Sequence, residues 1–119
     1  MKTMTFKLKG VTFDNRQNYI AYLAKHSEKS FLVFSRENKN KNDKNAISVG
    51  AYDPENKKYV PLGYVPKEIA KEIAPMIDNG YRIYTHRYEV IGGYGYNFGV
   101  KAEISLYMPR KNVNYIYEQ

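Results

Sequence analysis

Four strand formers, Phe31-Leu32-Val33-Phe34, lead through Ser35-Arg36 into nine consecutive polar residues, Glu37 to Asn45. Those nine are four Asn, three Lys, one Asp and one Glu, and apolar character resumes at Ala46-Ile47. A stretch of that composition has nothing to bury, so it must be an exposed loop between two strands. It is also the place where this chain displays its polar chemistry most densely.

The rest of the chain supplies the scaffold. From Thr3 to Thr12, Phe6, Leu8 and Gly10 alternate with Lys7, Lys9 and Val11, the period of a strand. Asp14-Asn15 offers an N-cap, and Tyr19, Ile20, Leu23 and Ala24 follow at helical spacing, so a helix is predicted over Arg16 to His26. Ala46 to Tyr52 and Tyr59 to Val65 read as strands joined by the turn Asp53-Pro54-Glu55-Asn56. Pro66 opens a second helix at its first position, with Ile69, Ala70, Ile73, Met76 and Ile77 as its apolar stripe and Gly80 at its end. Pro75 is expected to kink or shorten the last turn. A long strand from Tyr81 to Val90 should place Ile83, Thr85, Arg87 and Glu89 on one face and Arg82, Tyr84, His86, Tyr88 and Val90 on the other. Gly92-Gly93 and Gly95 make a turn, and Phe98 to Met108 returns as a strand. Six strands and two helices in this order favour a mostly antiparallel barrel or sandwich, because two helices cannot cover a parallel sheet.

The whole chain, 1–119, reads as one domain, with a core over about residues 5–108 and a loosely held polar tail over 109–119. At this length folding buries roughly two-thirds of the surface of the unfolded chain. There is no cysteine, which excludes disulfides and thiolate metal sites. The first ten residues lack the apolar stretch of a secretory signal, and no run is long enough to span a membrane. The expected location is the cytoplasm, with no membrane contact. The formal charge is +7, from 19 Lys and Arg against 12 acidic residues, and 13 tyrosines accompany it. Basic charge attracts polyphosphate and exposed aromatic rings can stack on bases. Tyrosine equally suits strands for structural reasons.

Residues 34–47 resemble the HIRAN domain. The family signature is a strand, Arg-Glu-Pro, Asn-Pro-Tyr-Asp, then Asn-Ala-Ile. This chain has Arg36-Glu37, then Asn40 and Asp43 at that spacing, then Asn45-Ala46-Ile47 and Val49. A second block, Leu62-Gly63-Tyr64-Val65-Pro66-Lys67-Glu68-Ile69-Ala70, resembles the family's Gly-Tyr-hydrophobic-Pro lead into a helix. The resemblance covers roughly Phe6 to Leu106. It departs at Asn38, where the family has proline, and at Lys41-Asn42, where the family has Pro-Tyr. Without the prolines the empty loop should be floppier, and without the tyrosine it lacks the aromatic that stacks on a base.

The resemblance implies a mainly β fold, a six-stranded antiparallel OB-like barrel flanked by two short helices. It also implies a non-catalytic module that grips single-stranded DNA at its 3′ end. The residues implied are Arg16, Arg36, Asn40, Asn42, Asp43, Tyr64, Lys67 and Phe98. Asp43 can accept a hydrogen bond from a free 3′ hydroxyl, Asn40 can meet backbone or a base edge, and Lys67 at a helix start can meet a phosphate. Tyr64 and Phe98 can present aromatic faces.

Each residue also has a plain structural role open to it. Asn40, Asp43 and Asn45 can close turns on their own backbone, Arg36 can pair with Glu37 or Asp43, and Tyr64 and Phe98 can belong to the core. Lys67 and Lys71 can form an exposed helix face beside Glu68 and Glu72. His26 and His86 have no recognisable carboxylate or nucleophile partner. Glu37 and Asp43 are a weak metal pair among so many lysines, and Gly92-Gly93-Tyr94-Gly95 lacks the Lys and Ser or Thr of a phosphate loop. No cofactor is expected. The alternative function is a protein-interaction module that kept the fold and lost DNA, and a helicase or nuclease is a possible protein partner.

Overall fold

The periodicities in the chain become six strands and two helices. The computed structural model describes residues 2–110. In order they are β1 (Thr3–Lys7), α1 (Arg16–His26), β2 (Phe31–Arg36), β3 (Ile47–Asp53), β4 (Lys58–Tyr64), α2 (Lys67–Asp78), β5 (Arg82–Ile91) and β6 (Gly99–Tyr107). Element order and type follow the sequence expectation, and α1 has the expected bounds. The expectation for the tail falls largely on 111–119, outside the described residues.

All pairings are antiparallel, and they make two three-stranded sheets, β1-β6-β5 and β2-β3-β4. The two meet at one corner. Beyond β1, Leu8 donates its amide to Val100 O at 2.9 Å, and Lys9 exchanges both backbone bonds with Tyr64, at 2.8 and 2.9 Å. Gly63 permits this approach: a Cβ there would stand 2.4 Å from the Lys9 carbonyl oxygen. The ladders of the described residues form two sheets joined at that corner rather than one ring of six strands.

Both sheets and both helices close on one core. Phe6 and Leu8, Ile20 and Leu23, Ile47 and Leu62, Ile73 and Ile104 are all buried in a single cluster. Burying a side chain of this size contributes about 1.5–3 kcal/mol. At the far end of β3, Asp53 is buried and accepts from Tyr22 Oη at 2.7 Å, from Asn56 Nδ2 at 2.7 Å and from the amides of Glu55 and Asn56. The expected turn at 53–56 is thus closed by its own aspartate. The Asn56 amide, then the Tyr22 hydroxyl, hold the Asp53 carboxyl down at about 2.

Several expectations need correction. β1 ends at Lys7: Leu8 keeps one bond to Val100 of β6, and Lys9 turns to pair with Tyr64 of β4. Asn15 stands at the N-cap of α1 in the left-handed region, φ 66, and its side chain makes no capping bond. Pro66 is the residue before α2 rather than its first residue, with ψ at 142. Pro75 does not shorten α2, which runs on to Asp78. So near the C-terminus the missing amide costs one ladder bond, and the end is closed by other means. Gly80 N–H bonds Ile77 O and Tyr81 N–H bonds Met76 O, both at 3.0 Å, with Gly80 at φ 103.

The largest correction lies in β5. Strict alternation from Ile83 would put Arg87 and Glu89 inward, whereas Tyr88 and Val90 pack against the core and Arg87 and Glu89 are exposed. The register against β6 shifts between Thr85 and Arg87. His86 is therefore the extra residue of a bulge, which flips the phase of everything after it. Its Nε2 lies 2.7 Å from Ser105 Oγ.

Candidate nucleic-acid interface

The polar loop between β2 and β3 is shaped by its own side chains. Asn40 Oδ1 accepts from the amides of Asn42 and Asp43 at 2.9 and 3.1 Å, and Asn40 Nδ2 donates to Glu37 Oε1 at 3.1 Å. Asp43 Oδ1 accepts from the Asn45 amide at 2.9 Å. These are the turn closures that Asn and Asp make locally, and they supply by side chain some of the constraint that prolines would give. Glu37 also accepts from Tyr64 Oη at 2.9 Å, so the loop is tied to the end of β4.

Arg36 anchors the loop from behind. Its guanidinium pairs with both carboxylate oxygens of Asp78, at 2.9 and 3.0 Å, and donates to the carbonyls of Ala46 and Lys44 at 2.8 and 3.1 Å. The planar fork satisfies the loop's return limb and the end of α2 together. The bond from Arg36 holds the Asp78 carboxyl below its ordinary value, and that same bond raises Arg36.

An open groove of about 470 Å³ lies in front of the loop. Its walls include Arg16, Asn40, Asn42, Asp43, Tyr64 and Lys67, six of the eight residues expected from sequence. They come from the start of α1, the 37–45 loop, the end of β4 and the start of α2. Arg16 is pinned there: its Nη1 donates to Gly10 O at 2.7 Å, Asp14 lies 3.6 Å away, and its guanidinium carbon sits 5.3 Å from the Tyr64 ring centroid. Burial first, and then the bond to Glu37, raise the pKa of Tyr64. Asp43 keeps its Oδ2 free of hydrogen bonds among the described residues. Lys9, Arg16 and Lys67 face Asp14 and Asp43, and exposed Lys39, Lys41 and Lys44 ring the loop.

Two expected residues stand elsewhere. Arg36 lies behind the loop, as above. Phe98 packs against the core and over Gly93, where a Cβ would fall 2.4 Å from its ring. Its backbone is held by Gln17, which accepts from Phe98 N–H at 2.7 Å and donates to the carbonyls of Phe98 and Val11 at 2.9 Å.

Five groove residues were not among those expected from sequence: Lys9, Phe13, Asp14, Ala46 and Val65. Lys9 reaches the groove through the sheet corner, a tertiary pairing with no local signal. Phe13 lines the groove while 66% exposed, on a loop with Gly10, Asp14 and Asn15 all at positive φ. An exposed phenylalanine in a basic groove marks a binding surface, and that exposure is visible only once the loop is folded.

The family model of the HIRAN domain matches residues 7–106. The chain belongs to the HIRAN domain family. The match takes in both helices, the polar loop and every residue of the groove, so the groove is a feature of this chain's HIRAN domain. HIRAN domains are known as DNA-binding modules. No curated protein and no solved structure matches the chain. Among the described residues of this HIRAN domain, no three His, Asp or Glu side chains gather as metal ligands. Glu37, considered above as half of a metal pair, is engaged by Tyr64 and Asn40. None of the described helices is long and apolar enough to cross a membrane.

Proposed function

We propose that this HIRAN protein is a non-catalytic module that binds single-stranded DNA at a free 3′ end, in the groove in front of the 37–45 loop. The observation that carries the reading is convergence: Arg16, Asn42, Asp43, Tyr64 and Lys67, from four separate segments, line one open, net basic groove. Lys67 and the first amides of α2 suit a phosphate. Asp43 Oδ2 suits the hydrogen of a terminal 3′ hydroxyl, a donor that a mid-strand phosphodiester lacks. Phe13 provides the exposed ring that Asn42 does not. Asn40, whose oxygen already takes two amides, shapes the loop on this reading. The two sheets act together as an OB-like barrel whose joined corner at Lys9 and Tyr64 underlies the groove. The setting is the cytoplasm, where a helicase or nuclease would supply any catalysis.

A second reading, a protein-interaction module with the same fold, is favoured by one observation: Asn42 stands where the loop would carry its aromatic. Fluorescence anisotropy separates the two. A 3′-hydroxyl oligonucleotide should bind more tightly than its 3′-phosphate counterpart, and Asp43→Ala should remove the difference. Equal affinities in the parent protein would remove end recognition. No binding at about 50 mM salt, where phosphate contacts are strong, would sink the nucleic-acid reading altogether.

A further inference from the structure

We propose that the outer face of the β1-β6-β5 sheet carries a second contact for nucleic acid, a lysine track that takes the backbone phosphates of a strand running out of the groove. It rests on the groove reading and extends it. The track begins inside the groove at Lys9, just past the end of β1, and continues to Lys7, the exposed last residue of that strand. Directly across the ladder from Lys7 stands Lys101 of β6, also exposed.

A cross-strand pair of like charges works against the sheet. Glu89, opposite Lys101 on β5, offsets part of that cost for Lys101 and none of it directly for Lys7. Among the described residues none of Lys7, Lys9 and Lys101 takes part in an ion pair. Lys9 faces Asp14 and Asp43 in the groove, and on the sheet the carboxylates beside Lys7 and Lys101 are two. Glu89 of β5 lies opposite Lys101 on its far side, and Glu103, one row along, is held at 2.7 Å by Arg87. Lys7 therefore has a cation opposite, Thr5 as its same-face neighbour and Lys9 just past the end of the strand. The row of Glu103 and Arg87 ends the track, since a paired carboxylate offers a phosphate nothing.

The arrangement fits a polyanion laid along β1, and the shared chemistry is a sugar-phosphate backbone. That backbone can come from a longer single strand or from a duplex behind a short 3′ overhang. The test compares three labelled DNA probes on the parent protein and on the Lys7→Gln/Lys101→Gln double variant: a short 3′-ended oligonucleotide that fills the groove alone, the same sequence extended in 5′ single strand, and the same overhang on a duplex. Affinity is measured over a series of salt concentrations.

For the single-stranded extension, the double variant should lower the magnitude of the logarithmic salt slope by about 1.4, or about 0.7 for each phosphate that a lysine no longer neutralises. For the duplex the reduction is about 1.8, at about 0.9 for each such phosphate. Whichever long probe shows its reduction identifies the source. The short probe should bind both proteins alike. A second variant, Lys7→Glu, puts opposite charges across the ladder and should raise the thermal midpoint while weakening the long probe. Unchanged salt slopes on both long probes, with the short probe still bound, would overturn the track and leave the groove reading standing. Failure of the parent protein to bind any probe would overturn both.

Discussion

Tyr64 Oη donates to Glu37 Oε1 at 2.9 Å, and Asn40 Nδ2 reaches the same oxygen at 3.1 Å. One carboxylate oxygen therefore joins the end of β4 to the polar loop. The Tyr64 ring lies under Arg16, so the tie extends from the loop to the first residue of α1. The groove's shape depends on a residue that does not line it.

Glu37→Ala should accordingly damage both fold and groove. A part-buried hydroxyl and an amide lose their acceptor, which costs about 1–3 kcal/mol. Glu37→Gln keeps an acceptor oxygen and should cost less. Urea unfolding of the two variants beside the parent protein measures this, and equal losses would contradict the role given to that oxygen.

How much of this was legible beforehand depends on the range of the interaction. α1 could be read to the residue because its apolar spacing is local. The loop was legible because nine polar residues between strand formers admit no other placement. The faces of β5 could not be read past His86, since a bulge is defined by the partner strand. Gly63 gave no hint of the sheet corner, because its meaning lies in the Lys9 carbonyl. At the site, family spacing brought out Asp43, Tyr64 and Lys67, which do line the groove. It also brought out Phe98, whose ring packs over Gly93, and it passed over Phe13, whose exposure only the folded loop reveals.

Asp53 sets an acid limb for stability. Its folded-state value of about 2 lies below the ordinary 3.8, chiefly through the Asn56 amide and then the Tyr22 hydroxyl. A carboxylate depressed by folding contributes stability that is fully present above its unfolded value. That contribution is lost as pH falls through the folded one. The urea midpoint of the parent protein should therefore decline between about pH 4 and pH 2. Asp53→Asn should start lower at pH 7 and decline less over that window. Parallel curves would show that Asp53 is not responsible.

Gly63→Ala should strike the sheet corner. The added Cβ would lie 2.4 Å from a backbone oxygen, which cannot move aside as a side chain can. Overpacking of this kind costs about 1–3 kcal/mol. Hydrogen exchange should quicken at the amides of Lys9 and Tyr64, which bond each other's carbonyls across the corner. Gly95→Ala is the contrast. Nothing lies within 4 Å of its Cβ, so its strain comes from φ +77 alone, and exchange at Lys9 and Tyr64 should stay as it was. Identical exchange in both variants would mean that the close approach is not what joins the sheets.

Phe13→Ala separates binding from folding. The ring is 66% exposed, so its removal withdraws little buried surface and the thermal midpoint should barely move. Stacking of one base on an aromatic ring is worth about 1–3 kcal/mol. At about 1.4 kcal/mol per factor of ten, the expected loss of affinity for a 3′-ended oligonucleotide is roughly 5- to 150-fold. Phe13→Tyr keeps the face and should bind nearly as the parent does. The comparison turns on stability and affinity moving separately. If Phe13→Ala binds like the parent protein, the groove uses no ring there. If its midpoint falls in step with its affinity, Phe13 is a packing residue and the groove has no exposed stacking face at that position.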